Sequence, residues 1–87
     1  MKLPAFYSEL EALAEALGLS VVLDRGAFTG GLCLFEGQEL LVLNLSASLA
    51  QRTRQLAEIL AARDLGNVYI KPGVRSALER YQVTAPG

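Results

Sequence analysis

Two apolar runs, Leu32–Phe35 and Glu39–Leu45, stand on either side of Glu36-Gly37-Gln38. Runs of this length around a short glycine-bearing turn read as a β-hairpin. Each run is apolar on consecutive positions instead of alternating. That pattern predicts strands covered on both faces, by helices or by a second subunit. A hairpin also restricts its surroundings, because adjacent antiparallel strands need a layer of helix or sheet over their apolar side.

The segments around the hairpin supply helices. Ser8 and Glu11 have the S-x-x-E spacing of a capping box, which predicts a helix starting there. Leu10, Leu13, Ala14 and Leu17 follow as one apolar stripe, with Glu9, Glu11 and Glu15 on the other side. Gly18 is placed to end that helix. Ser20–Asp24 reads as a short strand around Val21, Val22 and Leu23. The stretch from Arg25 to Gly31 is a glycine-rich loop. Beyond the hairpin, Ser48 and Gln51 make a second capping box. Leu49, Thr53, Leu56, Ile59, Leu60 and Arg63 then track one helical face, with Gly66 as the stop. Val68-Tyr69-Ile70 reads as a brief extended piece. Pro72 suits the first turn of a third helix, whose buried stripe is Val74, Ala77, Leu78 and Tyr81. The tail from Val83 to Gly87 is expected to fray. The fold class is therefore α+β: a helix, a three-stranded, mainly antiparallel sheet with a hairpin, then two helices packed on the sheet. Residues 1–87 form a single domain.

Composition narrows the class of protein. Hydrophobic residues make up 52% of the chain and charged residues 20%, which is too apolar a balance for a disordered segment. A chain of 87 residues buries only about 60–65% of its unfolded surface, so burial across a homo-oligomer interface is an expected supplement. Net charge is −1, with no global attraction to nucleic acid or acidic membrane. The distribution is uneven. Residues 1–47 hold Lys2 and Arg25 against six carboxylates, and residues 48–87 hold six cations against Glu58, Asp64 and Glu79. An acidic front and a basic back can pair within the fold or between subunits. No apolar run approaches the roughly 18–20 residues of a membrane span. The single cysteine and the absence of a signal-like start point to the cytoplasm. The excess of arginine over lysine, with abundant Ala, Leu and Gly, fits a GC-rich or thermophilic source.

Several chemistries are excluded. The chain has no histidine, which removes the commonest general base and the commonest metal ligand. One cysteine and scattered carboxylates cannot form a structural zinc site. Neither Ser-His-Asp nor Cys-His catalysis is possible. No P-loop or dinucleotide fingerprint occurs, so no cofactor is expected. Cys33, between Leu32 and Leu34, reads as a buried structural thiol. Glu11 and Glu15 share a helix face but have no apolar pocket around them. Tyr69 and Tyr81 sit in apolar company and read as core or interface residues. Arg52 and Arg54, with Gln51 and Gln55, crowd the start of the second helix. Together with Arg25 they are candidate contacts for a small anion or carboxylate. No aromatic residues interleave with them, so RNA binding lacks a stacking platform.

One longer pattern resembles a known family. A helix ending EALGLSV, a glycine-rich turn into GGLCLFEGQELLVLN, and a helix SLAQRTRQLAEILAA are similar to the N-terminal part of the ImmA/IrrE zinc metallopeptidases. The resemblance spans roughly Leu10 to Ala62. It implies that Leu56–Ala62 falls where the family carries L-A-H-E-L-G-H. The two ligand histidines then correspond to Glu58 and Ala62, and the catalytic glutamate to Ile59. Those substitutions leave no metal site, so the resemblance implies an inactive short form. With no catalytic constellation and a core rich in leucine for so short a chain, the expectation is a non-enzymatic interaction module, a homo-oligomer or the partner of another protein, with the exposed sides of the hairpin or of the third helix as contact surface. The alternative is a small-anion or small-molecule binder using the glycine-rich loop with Arg52 and Arg54.

Overall fold

A computed structural model of the chain describes residues 1–82. The expected fraying of Val83–Gly87 lies outside the described residues. The order of elements is α1 (Leu3–Ala16), β1 (Ser20–Asp24), β2 (Gly31–Phe35), β3 (Gln38–Asn44), α2 (Leu49–Ala61) and α3 (Pro72–Gln82). The architecture is α+β, with a three-stranded sheet in the order β1-β3-β2. The hairpin β2–β3 is antiparallel, with Cys33 opposite Leu40. β1 runs parallel to β3, with Val22 opposite Val42. The chain thus crosses from β1 to the far edge and returns through the middle.

Helix α1 begins earlier than the Ser8 capping box implies. Ser8 lies inside the helix and is exposed; Lys2 holds the cap position without a side-chain cap, and a proline occupies the first turn. The physical reason is burial. Phe6 and Tyr7 are both core residues and continue the Leu10–Leu13–Ala14 stripe backwards by a turn. Pro4 does not obstruct this, because a first-turn residue needs no intrahelical N–H bond. The other end is as expected: Gly18 has φ +83, its N–H reaches the Glu15 carbonyl, and the Leu19 N–H reaches the Ala14 carbonyl. Together these form a Schellman cap.

Helix α2 starts at its predicted cap. The Gln51 N–H donates to Ser48 Oγ at 3.1 Å, and the Ser48 N–H donates to Gln51 Oε1 at 3.2 Å. It ends at Ala61 with Ala62 as its cap, before the expected stop at Gly66. Gly66 instead donates its N–H to Asp64 Oδ1 in a following turn. Val68–Ile70 joins no strand of the sheet, although Ile70 is buried.

Leu41 and Leu43 of β3 are fully buried beneath α1 and α2, together with Leu10, Leu56 and Leu60. Helix α3 packs against α1 and α2 through Val74 and Leu78, and Tyr81 stacks on Phe6 with ring centroids 6.5 Å apart. Thr53, the one buried polar residue of this core among the described residues, donates its hydroxyl to the Leu49 carbonyl at 2.7 Å. Two ion pairs tie the acidic front to the basic back. Arg63 binds Glu39 through both guanidinium nitrogens, at 2.7 and 3.3 Å, and Lys71 meets Glu9 at 3.0 Å.

Within one copy the helices cover only one face of the hairpin, so covering by helices on both faces does not hold. Residues paired across a sheet share a face, so Val22, Leu40, Val42, Cys33 and Phe35 form the side opposite Leu41. On that side Val22 is exposed and Phe35 is 59% exposed. The helices of so short a chain suffice for one face only. Cys33, read as buried, is exposed for the same reason. Tyr69 is not a core residue, standing 82% exposed, whereas Tyr81 is half-buried against the core.

Candidate functional site

The loop after β1 is held by a residue that the sequence reading did not single out. Asn44, at the end of β3, donates its side-chain amide to the carbonyls of Gly26 and Phe28, both at 2.8 Å. Its Oδ1 accepts the Ser46 N–H at 2.9 Å, joining the loop to the approach of α2. The available signal was a lone amide ending an apolar run just before a helix cap. Gly30 then passes so close to β3 that a Cβ there would collide with the Val42 carbonyl and crowd Gln55. Only glycine fits that approach.

The loop so fixed forms one wall of a cleft of about 720 Å³, and α2 forms the other. Phe28, Thr29, Gly30, Gly31 and Leu32 line the first wall; Gln51, Arg54, Gln55, Glu58 and Ile59 line the second. The glycine-rich loop and the start of α2 therefore meet, as the anion-binding alternative requires. Its three arginines do not. Arg54 lines the cleft but is paired with Glu58 at 3.3 Å in an exposed i,i+4 bridge. Arg52 turns away, donating Nε–H to the Ala47 carbonyl and lying 5.4 Å from the Tyr7 ring centroid. Arg25 is exposed, and its backbone N–H binds the Asp24 carboxylate.

The positions singled out by the metallopeptidase resemblance can be placed as well. Glu58 and Ile59 face the cleft, and Ala62 is the exposed cap of α2. Among the described residues, no three of Cys, Asp and Glu gather into a possible metal-binding set. Also among the described residues, no helix is long and apolar enough to cross a membrane.

Arg63 beside Glu39 holds that carboxyl below its usual range through the bidentate hydrogen bond. The Tyr7 phenol is pushed up, first by burial, with Arg52 opposing and Glu11 reinforcing. The hydroxyl makes no well-formed hydrogen bond, although both groups stand near enough to bias its titration.

The other notable surface is the free edge of β2. Leu32 is 45% exposed, Leu34 71% and Phe35 59%, and the strand Gly31-Leu32-Cys33-Leu34-Phe35 contains no polar side chain. Edge strands usually carry a charge, a proline or a bulge that blocks further pairing. β2 has none of these. No family model, no curated protein and no solved structure matches the chain.

Proposed function

We propose that this chain is a non-enzymatic protein-interaction module that works as a homo-oligomer in the cytoplasm. The observation that carries this reading is the unblocked apolar edge of β2, with Leu34 the most exposed of its leucines. A second copy is the occupant that fits best. The edge is uncharged, so no like charges oppose one another when it meets itself, and a domain of this size gains from burial between subunits. A reducing compartment suits an exposed free thiol at Cys33. The succession of helix, hairpin and helix, with Glu58 and Ile59 on the cleft, supports the further reading of a metallopeptidase-like scaffold without its metal site. The test is light scattering over a range of concentrations. The native chain is expected as an oligomer and a Leu34→Lys variant as a folded monomer. A native chain that stays monomeric at every concentration overturns the reading.

The cleft supports a second reading, a small-anion or small-molecule binder in which Arg54 and the backbone of Gly30 and Gly31 meet the ligand. Sulfate or phosphate is then expected to raise the melting temperature, and Arg54→Ala to abolish the shift. No shift with the native chain removes this reading.

A further inference from the structure

We propose that two copies join antiparallel through β2 about a two-fold axis at Cys33, giving one continuous sheet in the order β1-β3-β2-β2-β3-β1. This rests on the interaction-module reading and adds the register.

The turn sets which backbone groups are free. Glu36 has φ +51 and Gly37 φ +79, the left-handed pair of a two-residue type I′ turn. In such a hairpin the residues flanking the turn, Phe35 and Gln38, exchange hydrogen bonds, and the pattern alternates along the ladder. Cys33 and Gly31 therefore point their N–H and C=O groups toward β3. Leu32 and Leu34 point theirs away from it, to the open edge.

Self-pairing must match outward residues with outward residues. An axis at Leu34 would pair Leu32 with Glu36, which belongs to the turn. An axis at Leu32 would pair Leu34 with Gly30, outside the strand. The axis at Cys33 alone pairs the whole strand with itself. Leu32 then exchanges hydrogen bonds with Leu34 of the second copy, and Leu34 with its Leu32. Phe35 lies across from Gly31, where an aromatic ring covers the gap left by glycine. Glu36 falls opposite Gly30, so no charges oppose. The helices of both copies lie on the same side. Cys33 meets Cys33 of the second copy as a non-hydrogen-bonded pair, with Cα atoms about 4.5 Å apart. That separation is within disulfide reach.

The experiment oxidises the native protein with diamide at high micromolar concentration, followed by non-reducing electrophoresis and intact mass. Cys33 is the only thiol, so linking reports directly on the axis. Expected is near-complete conversion to a species of twice the 9.3 kDa chain mass, reversed by dithiothreitol. In a Cys33→Ser background, Leu34→Cys alone is expected not to link, whereas a mixture of Leu32→Cys and Leu34→Cys chains does. A dimer by light scattering that does not link through Cys33 overturns this register and leaves the interaction module standing. Linking of Leu34→Cys alone as fast as native Cys33 indicates collision and also overturns it. A monomer at all concentrations overturns both.

Discussion

Single residues show how little electrostatics and how much packing this chain uses. The best-formed ion pair, Glu39–Arg63, fastens the start of β3 to the segment after α2. Its carboxyl titrates below the ordinary value of 4.5 in the folded protein. A depressed folded value means the unfolded chain takes up protons first as pH falls. The bridge therefore contributes fully above about pH 4.5, and its contribution disappears as pH drops through the folded value. Tyr7 acts at the other extreme. Its phenol is raised above 10.0 by burial, so the unfolded chain ionises first and stability falls as pH rises beyond that point. The acid-side decline of melting temperature is expected to be shallower in Glu39→Gln, and the alkaline decline shallower in Tyr7→Phe. A native acid-side profile identical to that of Glu39→Gln contradicts the first assignment. Cys33 illustrates a limit of reading residues by their neighbours. Flanked by leucines it looks buried, yet its exposure depends on whether anything lies over the strand, which no local pattern records.

At the scale of elements, capping signals compete with burial, and α1 and α2 show opposite outcomes. Both capping boxes were legible, but only that of Ser48 and Gln51 is used, because Leu49 begins the part of α2 that packs. The box at Ser8 is overruled by Phe6 and Tyr7, whose burial draws the helix back to Leu3. Ser48→Ala is accordingly expected to lower stability by about 1 kcal/mol, and Ser8→Ala to leave it within about 0.5 kcal/mol of the parent. Chemical denaturation distinguishes the two; equal losses would mean that α1 starts at Ser8 after all. The hairpin was legible because Glu36-Gly37 and its flanking apolar runs are local. The parallel pairing of β1 with β3 was not, since it joins segments about 20 residues apart with a whole strand between them. The cleft was half legible. Glycines and polar side chains at the start of α2 pointed to it, but the divergence of Arg52 and Arg54 depends on which face of α2 each occupies, and Arg25 sits apart in the loop after β1.

For the molecule as a whole, one sheet is packed by helices on a single face, and the middle of its outer face and the β2 edge are left apolar. A chain this short cannot cover both faces with its own helices. The proposed pairing through β2 would continue the sheet without altering the core. Amide exchange at individual residues, followed by NMR at high and low protein concentration, tests this most directly. The Cys33 and Phe35 amides bond to β3 within one copy, so they are expected to be protected at both concentrations. The Leu32 and Leu34 amides face the open edge, so protection is expected only at high concentration and is lost on dilution. Leu32 and Leu34 amides that exchange freely at every concentration would contradict the account, and β2 would then be an unpaired edge.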